Sequence, residues 1–368
     1  MNIRRIPLAR PRLGDAEIDA LTHAVRSGVL SRGDALAGFE TDLAALAGTR
    51  SAVGVNSGTS ALQIALEALG IGAGDEVITV SYTFIGTLNA IARTGATPVL
   101  VDIDADTLNI DPARLAEAVT ARTRAVLVVH LFGRPAPMDA IRAIAEPAGL
   151  AIVEDACEAI GATWQGRPVG GLGDAGTFGF YPNKPIATGE GGVITLNDAE
   201  LATRCRQLRN QGLDPASGTR HPTRPGLSAR LSELQAAVGR VQVARLANSL
   251  ADRARVAERY LETCAGLPGL ELPAPAGPDA TISWFTFPIR VPDRAVRDRV
   301  RRRMAERGIE TGIYFEPAHR LAPYDRKAPR HALPVTDAIG DRGLALPLYP
   351  DLAEDDQARV CEALRAAL

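Results

Sequence analysis

Only two lysines, Lys184 and Lys327, occur in this chain, against 39 arginines. A guanidinium stays protonated in proteins and cannot condense with a carbonyl, so imine chemistry here would rest on one of two amines. The arginine excess itself reads as a genome-level codon bias. Lys184 sits in Tyr181-Pro182-Asn183-Lys184-Pro185, after a predicted strand Thr177–Tyr181 and before a TGEGG turn. A lysine is ordinarily a solvated surface group. One held between prolines and a glycine-rich turn, in a chain nearly emptied of lysines, stands in the position of a required amine.

Two further segments could do chemistry. Asn56-Ser57-Gly58-Thr59-Ser60 joins a predicted strand to a predicted helix. Small residues at a helix N-terminus leave backbone N–H groups free for an anion, most often phosphate. The same residues would equally serve as an ordinary N-cap, with Ser57 or Thr59 as the capping side chain. Glu154-Asp155 follows the strand core Ala151–Val153. A carboxylate there either accepts structural hydrogen bonds or holds a positive charge on a ligand, and both readings stand.

These segments need elements to position them. From about residue 50 short β-branched runs alternate with helical stretches: strands at Ala52–Val55, Glu76–Val80, Pro98–Asp102, Ala125–Val129 and Ala151–Glu154, helices at Gly58–Leu69, Thr87–Arg93, Pro112–Val119 and Pro137–Ala145. Near-continuous apolar strands between helices predict an α/β fold with a parallel sheet covered on both faces. Such sheets bind ligands at the carboxyl ends of their strands, where all three segments fall. Beyond Asp155 the reading gives a strand Val193–Leu196, a helix Leu201–Arg209 and a long, kinked helix from Leu231 to Cys264. A Pro/Gly cluster at 267–279 marks a boundary or hinge, followed by strand Ser283–Val291, helix Ala295–Arg307 and strand Glu310–Phe315. The basic face RDRVRRRM reads as a solvated helix surface. Gly171-Leu172-Gly173-Asp174-Ala175-Gly176 matches the dinucleotide fingerprint GxGxxG, but a strand follows it where a helix is required, so it reads as a turn.

Composition narrows the function classes. The 368 residues are 46% hydrophobic and 23% charged with a formal charge of −2, the proportions of a globular chain of about two domains. That balance lacks the electrostatic footprint of a general nucleic-acid binder. No run of about 18 apolar residues predicts a membrane span, and the N-terminus does not read as a secretory signal. Cys157, Cys205, Cys264 and Cys361 lie 48 or more positions apart, and the five histidines show no ligand spacing. Neither a disulfide framework nor a metal site is expected, and a reducing cytoplasm is the simplest location.

Taken together, VNSGTSAL (55–62), TFIGTLNAI (83–91), VEDACEAIGA (153–162) and FYPNKPIATGEGG (180–192) resemble the DegT/StrS-type aminotransferases. LRNQG (208–212), RLSELQAAVGRVQVARL (230–246), PAH (317–319) and LALPLYPDL (344–352) extend the resemblance over essentially the whole chain. Members are fold-type I enzymes that use pyridoxal 5'-phosphate (PLP), many on keto-sugar nucleotides. The resemblance implies a large PLP-binding domain over 1–245 and a smaller C-terminal α/β domain over 246–368, in a homodimer with shared active sites. It implies that Lys184 forms the Schiff base with PLP and shuttles the proton, and that Asp155 keeps the pyridine nitrogen protonated. Phe84 would stack on the ring, and Gly58, Thr59 and Ser60 would cradle the phosphate. Tyr314 and His319 match a segment near the substrate; a buried aromatic and a turn histidine are the plainer reading of both. Three positions depart from the family pattern. Gly179 replaces a serine that contacts phosphate, Ser228 an asparagine donated by the neighbouring subunit, and Glu158 the Gln or His that approaches the phenolic oxygen. The implied reaction moves an amino group, commonly from glutamate, to a nucleotide-linked 3- or 4-keto sugar, with no nucleic-acid or membrane partner. A cyclitol ketone as acceptor and a non-catalytic PLP-binding regulator are the alternatives. Some relatives with histidine at the Schiff-base position are dehydratases, and Lys184 argues against that branch.

Overall fold

The computed structural model describes residues 4–214, 221–325 and 329–368, so Lys327 lies outside the described residues. Two helices, α1 (Asp15–Ser27) and α2 (Asp34–Ala47), precede the sheet, in a stretch where the sequence reading placed no element. The apolar side of α2, with Leu36, Phe39 and Leu43, is fully packed. Its first turn is capped from a distance: the Glu233 carboxylate accepts from the N–H groups of Gly33, Ala35 and Leu36 at 2.8, 2.9 and 3.1 Å.

The alternation that follows is β1 (Ser51–Val55), α3 (Gly58–Ala68), β2 (Glu76–Val80), α4 (Ile85–Arg93), β3 (Thr97–Val101), α5 (Pro112–Ala118), β4 (Thr123–Val129), α6 (Met138–Ala145) and β5 (Ala151–Asp155). Two short strands, β6 (Thr163–Trp164) and β7 (Arg167–Pro168), lead to β8 (Ala175–Gly179) and β9 (Gly192–Leu196). The seven-stranded sheet runs β1-β9-β8-β5-β4-β2-β3. Strands β3, β2, β4, β5 and β8 are mutually parallel, while β9 lies antiparallel to both β1 and β8. The sheet is therefore mostly parallel. Strand β9 reverses because only a loop, without a helix to carry the chain across a sheet face, joins it to β8.

After β9 come α7 (Ala199–Arg209), α8 (Glu233–Ala244), α9 (Leu246–Thr263), β10 (Ala280–Thr281), β11 (Phe287–Arg290), α10 (Arg294–Glu306), α11 (Pro334–Arg342), β12 (Gly343–Leu346) and α12 (Glu354–Ala367). The expected helix Leu231–Cys264 is thus two helices, broken at Arg245, whose φ of −114° and ψ of 10° leave the helical region. Strand Ser283–Val291 shortens to β11; upstream of it the N–H groups of Ser283 and Phe285 bond instead to the carbonyls of Gly133 and Phe132. The expected strand Glu310–Phe315 does not form. Ile309 and Gly312 make single bridges to Ile6 and Ala345, and the chain then peels away from β12 to cross the sheet. The strand predicted at Thr177–Tyr181 ends at Gly179, so Phe180 and Tyr181 open the loop that carries Lys184.

Buried side chains form one large cluster around the seven-stranded sheet and a second around β11 and β12. The second gathers Val256 and Tyr260 of α9, Met304 of α10 and Val360 of α12, and it also takes in Ile6 from the N-terminal segment. Each such apolar side chain contributes roughly 1.5–3 kcal/mol by leaving water.

Candidate active site

A cavity of about 640 Å³ opens at the carboxyl ends of β1, β2, β5 and β8. Its base is set by strand alternation, which sends neighbouring side chains to opposite faces of a sheet. On β5 this separates Glu154 from Asp155. Glu154 is fully buried and accepts from the N–H groups of Leu172, Gly173 and Gly170, each at 2.7 Å, with His130 Nε2 at 3.0 Å. The glycine-rich stretch that imitates a dinucleotide motif is therefore a loop wrapped around a structural carboxylate. Asp155 faces the cavity. Its Oδ2 accepts from Thr87 Oγ1 at 2.8 Å and its Oδ1 from the Cys157 N–H at 3.3 Å. Thr87 Oγ1 lies 2.9 Å from Thr83 Oγ1, so a short hydroxyl chain braces the aspartate from α4.

Lys184 reaches the same cavity from the turn after β8, where its N–H donates to the Tyr181 carbonyl at 2.9 Å. Its Nζ lies 3.4 Å from Glu158 Oε1 and 4.1 Å from the centre of the Phe285 ring. Glu158 Oε2 in turn accepts from the Phe132 N–H at 3.0 Å. Burial pushes the Glu158 carboxyl above the usual carboxylate range, with Lys184 and that N–H pulling the other way. Burial also drives the Cys157 thiol far up, so it stands at the cavity as a protonated, inert group.

The first turn of α3 is capped by its own sequence and opens on the cavity. Ser57 is the N-cap: its Oγ accepts from the Ser60 N–H at 3.1 Å. The N–H groups of Gly58 and Thr59 have no helical acceptor before them and border the cavity. A Cβ on Gly58 would sit 2.7 Å from Cys157 Sγ and 3.4 Å from Gly179 Cα, so the backbones of 58 and 179 approach closely because neither carries a side chain. Gly179 borders the cavity through backbone alone.

Of the other candidates, Phe84 stands at the mouth, 58% exposed, with its ring 6.2 Å from that of Phe315. Tyr314 forms part of the wall; burial raises its phenol and a hydrogen bond with Asn183 opposes the rise. Three residues are not brought to the wall. The Ser60 hydroxyl is turned to Ser57 Oγ at 3.0 Å. Ser228 is exposed, in an isolated bridge with Asn210. His319 lies 2.7 Å from Ser81 Oγ through Nδ1 and 3.1 Å from Asp337 through Nε2, fastening its turn to the end of β2. The sequence reading missed Thr87, Phe285, Ile313 and Phe315, all of which border the cavity. Thr87 was taken to open a helix, whereas α4 begins at Ile85 and holds Thr87 in its first turn, which the TFIGT spacing after a strand could have suggested. The other three come from irregular backbone, which carries no periodic signal.

The donor set fits a group bearing an aldehyde, a phosphate and a basic ring nitrogen: one amine, two first-turn N–H groups without a helical acceptor and one braced carboxylate share a single cavity. Among the described residues no cluster of His, Cys, Asp or Glu is arranged to hold a metal ion, and no helix is long and apolar enough to cross a membrane.

Comparison with known proteins carries the same reading over the full length. Spore coat polysaccharide biosynthesis protein SpsC of Bacillus subtilis (strain 168) is 39% identical over 375 residues, covering 98% of this chain and 96% of SpsC. The dTDP-3-amino-3,4,6-trideoxy-alpha-D-glucose transaminase of Streptomyces venezuelae is 43% identical over 354 residues, covering 95% of this chain and 92% of that enzyme. Among solved structures, S. venezuelae DesV in complex with a ketimine intermediate superposes with a TM-score of 0.90 at 42% identity, covering 95% and 93% of the two chains. The aminotransferase TlmJ from Streptoalloteichus hindustanus gives a TM-score of 0.93 at 35% identity, covering 98% of each. With residues 11–365 matching its pattern, the chain belongs to the DegT/DnrJ/EryC1/StrS aminotransferase family and is a PLP-dependent transaminase.

Proposed function

We propose that this transaminase moves an amino group from an amino acid, glutamate in the first instance, to a nucleotide-linked 3- or 4-keto sugar. The observation that carries the reading is that Lys184 and Asp155 border one cavity together with the first turn of α3. The sugar and its nucleotide are supported by the relatives: one is named for a dTDP-amino sugar and the other for polysaccharide biosynthesis.

When bound, PLP supplies an aldehyde that takes up the amino nitrogen and an electron-poor ring that disperses the charge left by the departing α-proton. The chain's own groups do the rest. Lys184 Nζ, as a neutral amine, holds the cofactor and later carries the proton off the donor's α-carbon. Asp155 holds a proton on the ring nitrogen, and Thr87 fixes which way that carboxylate points. The N–H groups of Gly58 and Thr59 hold the phosphate, with the Ser60 N–H committed to the Ser57 cap. Phe84 covers the ring face and Tyr314 meets the acceptor; His319 supports the wall from behind. In a homodimer, the exposed Ser228 would serve the neighbouring cavity rather than its own. Residues 1–245 then form the cofactor-binding domain and 246–368 the smaller one, with Ile6 of the N-terminal segment packed into the second core.

The test is an absorption spectrum followed by an acceptor panel. A visible band on adding PLP, bleached by glutamate and restored by a nucleotide-linked keto sugar, is the expected result. A stable band indifferent to every amino donor would leave a binding module instead. A band bleached by glutamate but restored only by cyclitol ketones would overturn the sugar assignment.

A further inference from the structure

We propose that Glu158 is the base that takes the proton from Lys184 when the lysine engages the cofactor's aldehyde. The inference rests on the reading that Lys184 forms the covalent bond. Its ground is the contrast between two buried carboxylates four residues apart. Glu154 is held by three backbone N–H groups and a histidine. Among the described residues Glu158, 7% exposed, has one backbone N–H, from Phe132, and otherwise Lys184 Nζ at 3.4 Å. Hydrogen bonds to a carboxylate favour its charged form, so the sparsely bonded Glu158 is the better proton acceptor of the two. The Phe132 N–H occupies Oε2 and so turns Oε1 toward the amine.

The surroundings make the charged form of this carboxyl costly. Asp155 from β5, Cys157 from the turn after it and Tyr314 of the wall border the same cavity as this carboxyl, while the Tyr82 hydroxyl behind them is committed to the Tyr314 carbonyl. Among the residues that border the cavity Lys184 is the cation, and its other close neighbour is the Phe285 ring. A carboxylate kept out of water needs more hydrogen bonds than this site supplies, whereas a carboxylic acid needs few. The balance is simple. One proton passes from Nζ to Oε1, leaving an amine with a free lone pair. That pair forms the bond to the aldehyde carbon, the amine's two remaining hydrogens leave with the aldehyde oxygen as water, and Glu158 keeps the transferred proton.

The experiment measures covalent capture of PLP by the full chain stripped of cofactor, followed by absorbance across a pH series, for wild type, Glu158→Gln and Glu158→Asp. The affinity for pyridoxamine phosphate, which has no aldehyde, is measured alongside. Glu158→Gln should capture PLP about tenfold or more slowly near neutral pH. That deficit should close as rising pH lets solvent remove the lysine proton. Pyridoxamine phosphate should still bind saturably, whatever its affinity, showing a folded site, and Glu158→Asp should recover part of the rate. Equal capture rates with the same pH profile in wild type and Glu158→Gln would overturn the proposal, as would a deficit that stays constant at every pH. A borohydride-stable adduct persisting in Lys184→Ala would instead sink the underlying assignment of Lys184, whatever Glu158 does.

Discussion

The base and the wall of the cavity are built in different ways. The base comes from strand ends of one sheet, so register places it: Asp155 is the last residue of β5, and β5 is paired to β4 and β8 on both sides. The wall comes from Phe285 and residues 313–315, which have no ladder of their own and are held by tethers. Tyr82 Oη donates to the Tyr314 carbonyl at 2.6 Å, the Ala318 N–H to the Ser81 carbonyl at 2.8 Å, and His319 bridges Ser81 and Asp337. Aromatic contacts complete it, with Phe132 and Phe315 at 6.1 Å and Phe285 and Tyr314 at 5.9 Å. A register-built base holds a few atoms to fixed positions, which suits a reaction shared by many substrates. A tethered wall changes shape with single substitutions, which suits the choice among them.

Substitutions can break that contrast. Lys184→Ala should have the largest effect: loss of the borohydride-reducible adduct and a fall in turnover of at least about 10³-fold, with thermal stability nearly unchanged. Adjacent residues on β5 should then separate chemistry from fold. Asp155→Asn should lower kcat/KM by about 10²- to 10³-fold in a folded protein. Glu154→Gln, on the other face, should cost about 3–5 kcal/mol of stability by leaving buried donors mismatched, read from denaturant unfolding. If both variants lost activity without losing stability, the division between faces would be wrong. On the wall, Tyr314→Phe should raise KM for the acceptor about 2- to 10-fold with kcat little changed, the size of one hydrogen bond. A kcat effect of 10²-fold would move Tyr314 into the chemistry.

A last substitution, with no expected effect on the chemistry, concerns how the segment beyond the wall is anchored. Glu76, at the start of β2, pairs with Arg330 and Arg122 and accepts from Thr120 Oγ1 at 2.7 Å. The Arg330 hydrogen bond foremost, against the opposing effect of burial, holds its carboxyl at about 2 instead of 4.5. Because the folded value is the lower one, the stabilisation is present above the unfolded value and lost as pH falls toward the folded one. Glu76→Gln should therefore cost about 1–3 kcal/mol near neutral pH, and its Tm should converge on that of wild type in acid. A gap that persists in acid would mean that the pairs contribute by packing alone.

The legible part of the site follows the same division. Lys184, Asp155 and Gly58 were accessible because strands of β-branched residues announce where they end, and ligands bind there. Of the two readings of residues 56–60 the structure shows the cap, made by Ser57, and it leaves Gly58 and Thr59 bordering the cavity. Phe285 was read as the interior of a strand, yet its N–H bonds to the Phe132 carbonyl in a loop. The predicted strand Glu310–Phe315 failed for the same reason, since pairing there depends on a distant partner that local pattern does not name.

Residue types and local periodicity determined the α/β architecture, the amine at 184 and its place among strand ends, because helix and strand periods and turn chemistry are properties of neighbouring residues. The tertiary structure alone decided which of two adjacent carboxylates faces the cavity, that Thr87 braces Asp155, that Glu158 meets Lys184, and which late segments close the wall. Those contacts join residues tens to hundreds of positions apart in the chain. They form only when sheet register and the packing of the second core bring separate segments to one place, and no local window of sequence contains that information.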